Sequence, residues 1–276
     1  AHLKDFCPNA IHLTDKYPNL TLDASANISL STYGKHWIDN LTGHIIIDSL
    51  NVQNGSKQAI MEQMKLLVDN DIKNKKKHHR LQLQSDFVTA NISGIFQYTT
   101  LLNTAQRIIH GYVPSLVTAP KKINRQPNEL SFYAYFRQLE TISEVLDLEV
   151  SLPHYPTIKG YIDEQKEALE LQAYIPNINT DGTNIKDLTI ALNNPNEALD
   201  LSVYMYNCLP QNNPTAAKIG DVKAHINVKA QDDKIGLQIS LDNTDSVRNA
   251  GVINISSKIA RYADKPLFDI HVHPSD

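Results

Sequence analysis

Cysteine is nearly missing from this 276-residue chain, which carries only Cys7 and Cys208. Two thiols so far apart supply neither a disulfide framework nor metal-ligand spacing, so a stapled small domain and a zinc module are both excluded. Two free thiols are expected, with a single Cys7–Cys208 bridge as the alternative. Tryptophan occurs once, at Trp37, which reads as a packed residue at a strand end rather than an interface anchor. No run approaches the ~18 apolar residues of a membrane-spanning helix, and no signal-peptide core is present. The chain starts with Ala rather than Met, as expected of a segment cut from a longer parent whose anchor and targeting parts lie elsewhere. Positive charge is not in excess either: 26 Lys and Arg stand against 30 Asp and Glu, a balance that argues against a nucleic-acid partner. The one basic run, KNKKKHHR from Lys73 to Arg80, reads as a solvated turn that includes His78 and His79.

Catalytic signatures are missing as well. There is no G-x-S-x-G, no Walker A motif and no dinucleotide fingerprint. Asp163-Glu164 and Asp232-Asp233 read as turn residues, not as an acid–base couple. The sharpest apparent motif is FDIHVHPSD, in which His271 and His273 alternate along a strand as metal ligands can. No upstream His, Asp or Glu stands at ligand spacing. The motif therefore reads as an ordinary strand with Asp269, His271 and His273 outside and Phe268, Ile270 and Val272 inside. Neither catalytic residues, nor a metal, nor a cofactor is expected, and the protein is read as a non-enzyme. The Asn-x-Ser/Thr matches at Asn19, Asn27, Asn40, Asn91 and Asn254 arise readily in so Asn-rich a chain.

Period-two alternation is what the chain has in plenty. In LTLDASANISL, Leu20, Leu22, Ala24, Ala26, Ile28 and Leu30 fall on one face, with Thr, Asp, Ser and Asn on the other. The pattern returns at Leu199, Leu201, Val203 and Met205, at Val222, Ala224, Ile226 and Val228, and at Ile235, Leu237, Ile239 and Leu241. A two-residue turn at Asp232-Asp233 sets Val228 opposite Leu237, Ile226 opposite Ile239 and Ala224 opposite Leu241. A loop over Asn194-Pro195-Asn196-Glu197 sets Leu192 opposite Leu199, Ile190 opposite Leu201 and Leu188 opposite Val203. A turn at Thr89-Ala90 sets Phe87 opposite Ile92 and Leu83 opposite Phe96. These hairpins predict a mainly β fold: a long antiparallel meander whose wide sheet curls by its own twist.

Two stretches break the alternation. Thr99 to Leu116 reads as an amphipathic helix with Leu101, Leu102, Ala105, Ile108, Ile109 and Tyr112 as its apolar stripe, ended by Gly111 and Pro114. It either packs on the sheet as ordinary core or caps one end of it. A shorter helix is expected around Leu139 to Leu148. The polar stretch between them gives an N-terminal β segment ending in the helix (1–118), a connector (119–129) and a C-terminal antiparallel sheet segment (130–276).

The stretch LQLQSDFVTANISGIFQYTTLLNTAQRIIHGYVPSL, Leu81 to Leu116, resembles the TamB-like proteins of Bacteroidetes, in the AsmA-like superfamily. The terminal His273-Pro274-Ser275-Asp276 resembles a strand ending that recurs there; the rest matches in alternation and Asn-rich style. The resemblance implies a periplasmic segment of an inner-membrane-anchored envelope protein. Its open, curled β-sheet (a β-taco) would hold phospholipid acyl chains in a hydrophobic groove and support outer-membrane biogenesis. On this reading the groove is lined by Leu20, Leu22, Ile28, Leu83, Phe96, Ile190, Leu201, Val203, Val222, Ile226, Val228, Leu237 and Ile239. The competing expectation is a structural or interaction module that recruits an outer-membrane assembly partner through its sheet edges, without lipid transport.

Overall fold

The computed structural model describes residues 2–11, 16–73, 76–120, 127–180, 183–207, 221–243, 250–262 and 265–275. Strands make up 65% of it, so the mainly β expectation holds. In chain order the elements begin with β1 (His2–Phe6), β2 (Leu20–Ser31), β3 (Thr42–Asn54), β4 (Lys57–Met61), β5 (Met64–Lys73), β6 (Lys76–Ser85) and β7 (Val88–Ile95). Next come α1 (Leu101–Tyr112), β8 (Glu129–Phe136), α2 (Leu139–Val145), β9 (Val150–Ser151), β10 (Thr157–Asp163), β11 (Ala168–Thr180) and β12 (Thr183–Asn193). The last are β13 (Leu199–Tyr206), β14 (Val222–Gln231), β15 (Lys234–Asn243), β16 (Ala250–Tyr262) and β17 (Lys265–Ser275). Both expected helices are present. The chain divides into two compact units, one of Ala1–Ile95, Phe132–Thr157 and Ile178–Asp181, the other of Phe96–Ser131, Ile158–Asn177 and Gly182–Asp276.

The first unit is built on the antiparallel ladder β2–β3–β5–β6–β7, with β4 folded back on the second half of β3. Within β3 the apolar residues change parity, from Ile45 and Ile47 to Leu50 and Val52. A bulge in the β2–β3 ladder, where Ser25 pairs Ser49 but Ala26 pairs Ile47, absorbs the extra residue and keeps all four on one face. Gly43 is required where it sits: its φ is +131°, and a Cβ there would lie 2.0 Å from the Ser29 carbonyl oxygen. At the other end, α2 packs on β4 and β3. Asn54 donates to the Val145 carbonyl at 2.9 Å and to Asp147 at 3.0 Å, while Lys57 pairs with Asp147. The Lys57 hydrogen bond holds the Asp147 carboxyl below its ordinary value.

In the second unit, β12 to β17 form a meander of successive antiparallel neighbours. The β14–β15 register is the expected one, with Val228 opposite Leu237, Ile226 opposite Ile239 and Ala224 opposite Leu241. Asp232 and Asp233 both take left-handed conformations, φ 52° and 57°, as a tight two-residue hairpin turn requires.

Several expectations are corrected. Leu192 pairs Leu201 rather than Leu199, and Ile190 pairs Val203 rather than Leu201, because Pro195–Glu197 winds a 3-10 turn that lengthens the loop. In the first unit the β6–β7 turn falls at 85–88, not at Thr89-Ala90. The Ser85 hydroxyl accepts the backbone N–H groups of Phe87 (3.2 Å) and Val88 (3.1 Å), which sets Leu83 opposite Ala90 and Leu81 opposite Ile92. His79 is buried in β6 rather than solvated, since Gly94 opposite it presents no side chain. Burial and the neighbouring Lys77 charge push its pKa down. Trp37 is 57% exposed, in the β2–β3 connection instead of packed. Cys7 is a free thiol, and Cys208 lies outside the described residues.

Candidate functional site

Residues directly opposite in an antiparallel ladder point to the same side of the sheet, so the registers show which side chains share a face. In the second unit, Leu192, Leu201, Val228, Leu237, Ile255 and Val272 are successive partners from β12 to β17. One step along the strands, Ile190, Val203, Ile226, Ile239 and Ile253 form a second row. The opposite face carries Ser202, Asn227, Gln238, Asn254 and His273 in one row and Asp200, Lys229, Gly236, Ser256 and His271 in the next. His271 and His273 thus lie on the polar face. Among the described residues, no group of three His, Cys, Asp or Glu is arranged to hold a metal ion.

The first unit repeats the division. Ile28, Ile45, Leu66, Leu83 and Ala90 form a row from β2 to β7, beside Leu22, Val52 and Ala59. Asn27, Ile46, Lys65, Gln84 and Thr89 lie on the other side.

The expected lining residues therefore sort by unit. Leu20, Leu22, Ile28 and Leu83 share the apolar face of the first. Ile190, Leu201, Val203, Val222, Ile226, Val228, Leu237 and Ile239 share that of the second. Leu20 and Val222 lie on these faces but are buried, at 7% and 5% exposure. Phe96 lies off the rows altogether. It follows the end of β7, is only 2% exposed, and meets Tyr98 edge-to-face at 5.0 Å, so it fills core instead of extending a row.

These apolar faces are not sealed as a dry core would be. In the second unit the row residues of β12 to β15 are half-buried, and exposure climbs to 58% at Val272 and 59% at Ile270 in β17. In the first unit Ile28 is 57% exposed. Contiguous exposed aliphatic surface of this kind is costly in water and marks a contact surface.

One corner of the second unit's apolar face is covered. Val113, Ala230 and Ile259 form a buried cluster, with Ile109, Val117, Leu199 and Ile235 packed around it. Thus α1 and the residues after it lie over the row nearest the hairpin turns. Their seat is polar. Asn128, fully buried, accepts from the Gln97 backbone N–H (2.9 Å) and donates to Thr104 (2.7 Å) and Thr100 (3.2 Å). Its backbone N–H donates to the Glu164 carboxylate at 2.9 Å and its carbonyl accepts from the Glu164 N–H at 2.8 Å. Thr104, also fully buried, donates to Glu164 at 3.1 Å, and Arg107 pairs with that carboxylate. Further along, the Tyr112 hydroxyl accepts from Asn194 at 2.7 Å, and Asp233 takes the Ser115 backbone N–H and hydroxyl at 2.8 and 2.9 Å.

The turn beneath this seat is electrostatically set. Burial alone would raise the Asp163 carboxyl. Bonds from the Lys166 side chain and backbone and from the Tyr161 hydroxyl outweigh it and hold the group below its ordinary value.

Sequence reasoning missed this seat. The expected stripe placed Leu102 inwards, yet it is 87% exposed, while Thr104, which the stripe did not include, is buried. Asn128 belonged to the expected connector and carried no signal of its own. What the chain defines is an antiparallel β-meander with one aliphatic and one polar face, and a helix seated at its turns. No family model, curated protein or solved structure matches it.

Proposed function

We propose that the chain is a lipid-handling segment of a bacterial envelope protein, and that its aliphatic faces receive phospholipid acyl chains. The observation that carries this reading is the row from Leu192 to Val272: six strands in register, all aliphatic, half-buried from β12 to β16 and 58% exposed at Val272 in β17. Each aliphatic side chain in it keeps the same chemistry from strand to strand, with no charge and no fixed hydrogen-bond partner. Such a track suits disordered hydrocarbon, which offers area and no directional contact. Burial returns about 25 cal/mol per Å² whichever apolar partner supplies the cover. The resemblance of Leu81 to Leu116 to TamB-like proteins supports the same reading, and with it a periplasmic setting and a role in outer-membrane biogenesis. No step of bond-making chemistry is assigned to any residue.

Mass spectrometry of lipid extracted from the purified protein tests this. Phospholipid in near-stoichiometric amount is expected. Because Val272 is mostly exposed, Val272→Asp should leave folding intact while removing one aliphatic contact, worth about 1.5 kcal/mol or roughly ten-fold in phospholipid uptake. Protein that carries no phospholipid and takes none up from vesicles would refute the proposal. Discrete affinity for an outer-membrane assembly protein in that lipid-free state would favour the recruiting module instead.

A further inference from the structure

Resting on the lipid reading, we infer that α1 is a fixed end-stop that bounds the acyl-chain surface of the second unit. The row Leu199–Ala230–Ile235 is withheld from lipid, and the rows through Leu201 and Val203 are the first that lipid reaches. Geometry carries this. The hairpin turns β10–β11 (163–168), β12–β13 (193–199) and β14–β15 (231–234) line one side of the unit, and the α1 segment bonds to each of them. Thr104 and Arg107 hold Glu164, Tyr112 holds Asn194, and Ser115 holds Asp233. From Thr104 to Tyr112 the helix covers roughly 12 Å at 1.5 Å per residue, against a strand spacing of about 4.8 Å. It therefore runs across the strands, along the turns, instead of lying parallel to one hairpin.

Beneath its C-terminal end, Val113 and Ile259 are almost wholly buried against Ala230, with Leu199 and Ile235 at the margin. The next row, Leu201–Val228–Leu237, lies one alternation further from the turns. The seat favours a stop over a swinging lid. Thr104 and Asn128 have no exposed surface, and moving the helix would strip their hydrogen bonds one after another in a dry site.

Photo-leucine, which replaces leucine isosterically throughout the chain, reads this boundary directly. The labelled protein is irradiated with vesicles of phosphatidylethanolamine and phosphatidylglycerol, and adducts are mapped by mass spectrometry. Lipid adducts are expected at Leu201 and Leu237, with none at Leu199, which should crosslink internally to the segment 109–117. In Asn128→Ala, which loosens the seat, lipid adducts should reach Leu199. Lipid adducts at Leu199 equal to those at Leu201 in the unsubstituted protein would overturn the end-stop while leaving the lipid reading in place. Internal crosslinks at Leu199 with no lipid adduct at any leucine would overturn the lipid reading and the end-stop with it. Should Asn128→Ala fail to fold, the contrast between Leu199 and Leu201 in the unsubstituted protein still decides.

Discussion

Removing the Asn128 side chain should unseat α1 without melting the sheet it rests on. Three bonds are lost: the acceptor for the Gln97 N–H and the donations to Thr100 and Thr104. The backbone bonds between Asn128 and Glu164 stay, since alanine keeps them. Leaving the Gln97 N–H without its acceptor costs about 1–3 kcal/mol, and the two lost donations cost about 0.5–1.5 kcal/mol each before water enters. Partial relaxation should leave a net cost of about 2–4 kcal/mol, which would speed local amide exchange roughly 30- to 1,000-fold. Hydrogen–deuterium exchange with mass-spectrometric readout is the assay, because it reports each segment separately. In Asn128→Ala, peptides covering Leu101–Tyr112 should exchange faster by that factor, while peptides from the middle of β14 and β15 keep their rates. Acceleration of less than about three-fold in α1 would show that the buried network does not hold the helix. Equal acceleration in β14 and β15 would show that seat and sheet open as one unit, which would also refute the reasoning.

Two further outcomes bear on the helix and the first unit. Leu102→Lys should change stability by less than about 0.5 kcal/mol, because Leu102 is exposed, whereas Ile108→Ala should cost about 2–4 kcal/mol at a buried site; a urea denaturation series compares them, and a larger loss for Leu102→Lys would reinstate the apolar stripe read from sequence. For His79, burial and then the Lys77 charge favour the neutral ring in the folded state. Its contribution to stability is therefore whole above the ordinary histidine value of about 6.5 and lost as pH falls from there through the depressed folded value. An NMR titration of the His79 ring with a midpoint at or above that ordinary value would contradict the burial argument.

How much of this was legible in the sequence depends on what fixed each element. The β14–β15 hairpin was readable because a two-residue turn leaves one register, and alternation on both strands selects it. The β12–β13 register was displaced by two positions, since nothing in Asn-Pro-Asn-Glu announces that the 3-10 turn extends the loop. A slip of two conserves the side on which every residue lies, so Ile190, Leu201 and Val203 kept their face despite the error. The β6–β7 turn was lost to a single hydroxyl: Ser85 satisfies two backbone N–H groups and closes the hairpin before the apolar residues can choose a longer one. That shift left Phe96 beyond the strand, in core rather than on a row.

The failures at Leu102, Thr104 and Asn128 share one physical cause. A hydrophobic stripe predicts the buried face of a helix when apolar burial is what holds it. Here much of the seating is directional, through bonds from Thr104, Arg107, Tyr112 and Ser115 to partners spread over three turns. Such bonds are invisible to periodicity because each partner sits far away in the chain. They also do what aliphatic packing alone does poorly, which is to hold one arrangement and resist sliding. An aliphatic row does the reverse: each side chain is nearly interchangeable with the next, so a hydrocarbon chain can shift along it at little cost. On the proposed reading the two chemistries divide the work within one unit. Hydrogen bonds fix where the apolar surface stops, and the surface itself leaves its ligand free to move.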